Sequence, residues 1–150
     1  MDPDAVGCRL SVNSSGDIMK KLRRIIIGDK NYPIKIDLNV LEHIQENYGS
    51  INQFEMDILG LKHKKDADGN PVYTEDGKAM MYKTEPSVKA IKMVLPAMIN
   101  EGIAVEADNN HAISLNPVTE KEIFRECTIS YELLAKMIHE EFKQCFEVKN

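Results

Sequence analysis

The chain has no excess of positive charge: 19 Lys and Arg stand against 24 Asp and Glu, a formal net charge of −5. A binder of duplex nucleic acid or of an anionic membrane needs a concentrated basic face. The only compact basic cluster, Lys20, Lys21, Arg23 and Arg24, reads as solvated charge ahead of a strand, so neither partner is expected. No apolar run approaches the length that spans a bilayer. The opening residues, MDPDAVGCRL, lack the charged-then-apolar order of a secretion signal, and a cytosolic protein is expected. Cysteine is scarce as well. Cys8, Cys127 and Cys145 are odd in number and have no paired short spacing, which suggests neither a disulfide framework nor a zinc site. Cys127 and Cys145 read as small buried apolar residues.

Signatures of catalysis are missing too. There is no Gly-rich phosphate loop, and His43, His63, His111 and His139 are scattered, with His43 and His139 on the solvent side of their helices by phase. Asp66, Asp68 and Asn70 repeat the first three oxygen ligands of a calcium loop, but Pro71 stands where glycine is required and Gly77 where a bidentate glutamate should be. His139 and Glu140 begin like a zinc-protease helix, yet Lys143 replaces the second histidine. Glu140 and Glu141 are neighbours on a helix and diverge, so they cannot flank one bond and read as a solvated face. No enzyme, metal, cofactor or small-molecule substrate is expected.

What is present is a strong pattern in residues 23–49. Ile25 and Ile27 alternate before a turn at 28–31, and Tyr32, Ile34 and Ile36 alternate after it, as half-buried strands do. Asp37 then suits a helix N-cap, Val40, Leu41, Ile44 and Tyr48 fall on one helical stripe, and Gly49 ends the helix. A second helix follows, with Ser50 and Gln53 at capping-box spacing and Ile51, Phe54, Ile58 and Leu61 as its stripe.

Between residues 63 and 83 the periodicity stops. A structureless loop of that length is unusual in a compact domain, so an exposed hairpin is expected, with 72–74 paired to 80–82 across an Asp-Gly turn. A third helix starts near Pro86 and ends at Gly102, with Val88, Ile91, Val94, Leu95, Met98 and Ile99 on one face, Lys89, Lys92 and Asn100 opposite, and a kink at Pro96. A small second hairpin is read at 103–105 and 112–115. Thr119 and Glu122 cap a fourth helix, and a last one begins near Thr128 or Ser130. Its stripe, Tyr131, Leu134, Ile138, Phe142 and Cys145, is widened by Leu133 and Met137, which suggests burial from two sides.

The chain therefore reads as α+β: an N-terminal antiparallel β-hairpin packed on a mostly helical domain of about five helices, with a second β-hairpin insertion. Residues 1–21 read as a flexible N-terminal arm, 22–150 as a single globular domain, and 63–83 as the exposed insertion. Eight methionines favour adaptable binding surfaces. Met93, on a polar face, together with Leu133 and Met137 are the candidate partner-binding residues, for a protein partner or a second copy.

The run from Ile25 to Ile36, then Asp37, Val40, Leu41, Ile44, Tyr48-Gly49-Ser50-Ile51 and Phe54, resembles the N-terminal part of tail assembly chaperones of long-tailed phages and prophages of Gram-positive bacteria. The later layout is similar: a helix ending Asn100-Glu101-Gly102, a polar connector, then Pro117-Val118-Thr119 opening the final helices. The resemblance covers residues 22–146. It implies a noncatalytic protein of the host bacterial cytoplasm that coats the tape measure protein and helps recruit tail tube subunits, often made also as a longer frameshifted product. Two rival readings remain. One is a small regulatory or nucleic-acid-associated adaptor, whose feature would be the basic cluster at Lys20 to Arg24. The other is an enzyme with dispersed site residues, which a deep pocket lined by histidines and carboxylates would favour.

Overall fold

A computed structural model describes residues 10–12, 18–110 and 116–147, in which short antiparallel strand pairs alternate with helices. The fold is α+β as the sequence suggests, with five helices and three two-stranded sheets among the described residues. Within the expected arm, β1 (Leu10–Val12) pairs with β2 (Ile18–Lys20). The main hairpin joins β3 (Arg23–Ile27) to β4 (Lys30–Ile34), with Ile27 opposite Lys30. Its turn is thus tighter than 28–31 and needs only Gly28 and Asp29, Gly28 taking φ 63°. Ile25 and Ile27 are buried while Ile26 between them is 62% exposed, the period-2 alternation in its clearest form.

Asp37 caps α1 (Leu38–Tyr48), its carboxylate accepting from the amides of Asn39 and Val40. Gly49 closes that helix at φ 103°. Ser50 opens α2 (Ile51–Leu59) by accepting from the Gln53 amide. The reciprocal half of that capping box is absent, because Gln53 Nε2 donates to Asp57 Oδ1 instead, at 2.8 Å.

The insertion has structure without a core. Its stem pairs β5 (Leu61–His63) with β6 (Met81–Lys83), and two smaller turns are pinned by bridges between Lys65 and Pro71 and between Tyr73 and Ala79. The arms meet in a ring of backbone bonds: Lys64 donates to Met80, Met80 to Val72, and Val72 to Lys64, at 2.8, 2.8 and 3.0 Å. The expected pairing of 72–74 with 80–82 is therefore corrected. Tyr73 bridges Ala79, and Met81 and Tyr82 belong to the stem. Tyr73, Met81 and Tyr82 remain exposed, so backbone bonding rather than side-chain burial orders this segment.

The long helix α3 (Val88–Asn109) is capped by Ser87 and continues through Pro96. It also continues seven residues beyond Gly102, so Gly102 is not its terminus and residues 103–105 are not a strand. The proposed partner strand, 112–115, lies outside the described residues. The reason for a glycine at 102 is packing. A Cβ there would stand 2.5 Å from the Pro33 carbonyl oxygen and 3.0 Å from the Ile34 nitrogen. At this close approach the Lys35 amide donates to the Met98 carbonyl, at 3.1 Å, a backbone bond from the end of the hairpin to the helix.

Two helices complete the body: α4 (Glu120–Glu126), capped by Thr119, and α5 (Tyr131–Cys145), capped by Ser130. Ala90, Ile91, Val94, Leu95, Met98 and Ile99 of α3 share one buried core with Ile44, Phe54, Ile58, Ile123, Leu134, Ile138 and Phe142. The wide arc of α5 meets both α2 and α3, yet Leu133 is left 48% exposed. Cys127 and Cys145 are free and half-buried rather than fully buried. Among the described residues no helix is long and apolar enough to cross a membrane.

Gly102→Ala tests the close approach. Helix propensity alone favours alanine by about 1 kcal/mol. Overpacking against backbone atoms costs about 1–3 kcal/mol or more, because a main chain cannot move aside like a side-chain tip. Net destabilisation is therefore expected, seen as a lower midpoint in thermal or urea unfolding. A variant more stable than the native chain would show that no such contact exists.

Candidate interaction groove

Helices α1 and α3 run antiparallel, with Asn39 beside Glu101 at one end and His43 beside Met93 further along. Between them lies an open groove of about 810 Å³, lined by His43, Asn47 and Tyr48 from α1, by Lys89, Lys92, Met93, Pro96, Ala97 and Asn100 from α3, and by Glu120. The α3 positions recur at three- and four-residue steps, so a single stripe of that helix forms one wall. Pro96 supplies no amide, and the bond it would have donated to the Lys92 carbonyl is missing from this stripe.

The walls are held by specific bonds. The His43 Nε2–H donates to the Met93 carbonyl at 3.2 Å, since a carbonyl can only accept. Its Nδ1 lies 3.3 Å from the Asn47 amide nitrogen, a donor. His43 therefore does not face solvent, as helical phase suggested, but ties α1 to α3. Asn100 holds the connector before α4, donating to the Val118 carbonyl at 3.1 Å and accepting from its amide at 2.7 Å. Lys92 reaches Glu120 at 3.3 Å and lies 6.0 Å from the centre of the Phe124 ring. At the end of α1, Tyr48 donates to Asp57 Oδ2 at 2.5 Å. Burial, then that bond, pushes its phenol above the ordinary range.

The three predicted partner residues are not gathered in one place. Met93 lines the groove and is half-buried against the core, so its face is not simply polar. Leu133 and Met137 lie on α5 and do not line it. Met137 is half-buried and Leu133 exposed. His43, Asn47, Lys89, Lys92, Asn100 and Glu120 escape a search for apolar or catalytic residues. Their only sequence signal is the polar stripe of the third helix, at Lys89, Lys92 and Asn100, which reads as solvated until another helix lies beside it.

Several charges expected in solvent are paired. Arg23 Nη1 donates to Glu140 Oε1 at 2.7 Å and lies 3.8 Å from Glu141, which is buried. The bond from Arg23 holds the Glu140 carboxyl below its ordinary range. Arg24 pairs with Glu106 at 2.5 Å and also donates to the side-chain and backbone oxygens of Asn31. Arg23 and Arg24 of the basic cluster, and the Glu140–Glu141 pair, are thus not free solvated charges. Both arginines clamp the hairpin to α5 and α3, which removes half of the cluster from any phosphate. His139 likewise turns inward, 2.9 Å from Glu55 and stacked on Phe142. Asp66 spends its carboxylate on its own turn, accepting from the amides of Asp68 and Asn70.

No protein-family model matches the chain, and comparison with curated proteins and with solved structures finds no match.

At the far end of the α1–α3 seam, Asn39 Nδ2 donates to Glu101 Oε2 at 3.0 Å. The hydrogen bond between the Glu101 and Asp37 carboxyl groups, followed by burial, raises the Glu101 pKa, while Asn39 and Lys35 oppose the rise. The folded state then holds this proton more tightly than the unfolded state does. Its contribution to stability is full below the ordinary glutamate range and is lost as pH rises through the raised value. Glu101→Gln keeps a donor toward Asp37 and cannot titrate. The variant should therefore gain stability over the native chain as pH rises from acid to neutral in thermal melts. Parallel profiles for the two proteins would contradict the carboxyl pairing.

Proposed function

We propose that this chain is a noncatalytic tail assembly chaperone of a long-tailed phage or prophage, acting in the host cytoplasm. It holds helical segments of the tape measure protein and helps recruit tail tube subunits. The observation that carries the reading is the α1–α3 groove. From Lys89 to Asn100 its α3 wall advances about 16 Å, at 1.5 Å per residue, or about three helical turns. That length suits the spaced anchors by which an amphipathic helix is held in a groove. Met93 and Ala97 provide the apolar floor, and Lys89 at the rim favours acidic residues beside the anchors of the guest.

The element order supports the same reading. A hairpin, two capped helices joined at Gly49-Ser50 and two closing helices follow the layout on which the family resemblance rests, while the long helix departs from it by running on to Asn109 instead of ending at Gly102. The His43 ring is engaged on both nitrogens, and the groove's carboxylate, Glu120, is paired with Lys92. This favours binding over chemistry there. Many weak copies along one filament would act by multivalency, so no single copy needs a large apolar patch.

The test is co-expression with the tape measure protein. Met93→Glu, in the groove, is expected to abolish co-purification, and Lys89→Glu, at an exposed position of the same wall, to weaken it while the thermal midpoint moves by only a few degrees. Leu133→Glu and Met137→Glu, on α5 outside the groove, report whether the partner also covers that helix. Unchanged co-purification in both groove variants would overturn the assignment.

A further inference from the structure

At the other side of the molecule, α2 and α5 enclose a shallow, mostly apolar hollow of about 500 Å³, lined by Ile51, Asn52, Glu55, Phe142, Lys143 and Phe146. Phe146 stands at its edge, 54% exposed. Its amide donates to the Lys143 carbonyl at 3.0 Å, and its ring meets Phe142 edge-on with centres 5.0 Å apart. A half-exposed aromatic ring beside an apolar hollow is costly to leave uncovered.

We propose that this end of the molecule is a self-association surface whose occupant is a second copy of the chain. The argument is that the patch carries its own complement. The knob, Phe146, sits beside the hollow that would receive it. Glu55 lies on the α2 wall, with one carboxylate oxygen on His139 and the other left for a partner, and Lys143 lies on the α5 wall. A two-fold axis along the seam between the helices sets α2 of each copy against α5 of the other. It then places each Glu55 opposite a Lys143 twice over, as an isologous contact requires. The alternative axis, across the seam, sets like charge on like charge and is disfavoured. Six residues fall well short of the roughly 20–30 per side of a stable interface, so the dimer is weak and forms with rising concentration. The proposal does not rest on the tail-assembly reading.

Sedimentation equilibrium of the native chain is expected to show a reversible monomer–dimer equilibrium with a micromolar-range Kd. Lys143→Glu and Glu55→Lys should each weaken it by about tenfold or more, a loss of about 1.4 kcal/mol or more. An equimolar mixture of these two variants should regain native strength as a heterodimer, because mixing sets two acidic residues against two basic ones. Phe146→Ser, at an exposed position, should also lose the dimer with its thermal midpoint preserved, which separates failed association from failed folding. A native chain that stays monomeric throughout that range overturns the proposal and leaves the patch to another partner. So does a mixture that associates no better than either variant alone.

Discussion

The structure depends on the backbone contact between α3 and the end of the hairpin. A helix normally rests on a sheet through side chains, with axes about 10 Å from the strands. Here the absence of a side chain at Gly102 lets the helix touch the Pro33 peptide, and the Lys35 amide bonds directly to the Met98 carbonyl. The contact sets the height of α3 above the hairpin, and every other helix packs against α3. Arg23 and Arg24 reinforce it from the hairpin's first strand, reaching Glu140 and Glu106 on the two longest helices. These pairs are half-exposed, so they add registry more than stability.

Because α3 is the shared element, it has two duties divided by face. Ala90, Ile91, Val94, Leu95, Met98 and Ile99 are buried in the common core. The stripe from Lys89 through Met93 and Ala97 to Asn100 is left as the wall of the groove. The groove's floor is therefore rigid in the sense that its residues are neighbours of core residues on the same turns. Its other wall, α1, is fixed by caps at both ends and by His43 in the middle. A guest would find the site formed beforehand, with little ordering cost.

Local chemistry was legible in the sequence, and long-range choice was not. Asp37, Gly49, Ser50, Thr119 and Ser130 mark helix ends because a cap involves residues only a few positions apart. The alternation at Ile25, Ile26 and Ile27 is equally local. Gly102 shows the limit: a glycine late in a helical pattern has the same signature whether it ends the helix or admits a neighbouring strand, and only the neighbour decides. The same holds for Tyr82, whose alternating context does not say whether its partner lies at 72–74 or in the stem. His43, His139 and Glu140 read as solvent-facing because of their place on their helices, and Arg23 because it stood in a charged run ahead of a strand. Each finds a partner on another element, a pairing that helical periodicity does not encode. Of the candidate site, Met93 was visible as a residue out of place on its face, while the polar residues around it were not.

The central claim is that the hairpin and α3 are joined main chain to main chain. It is most directly tested by native-state hydrogen exchange at the Lys35 amide, which belongs to neither a strand nor a helix and whose acceptor is the Met98 carbonyl. The account predicts that this amide opens only with global unfolding, matching the slowest amides of α3. Exchange at the rate of an ordinary loop amide would contradict it.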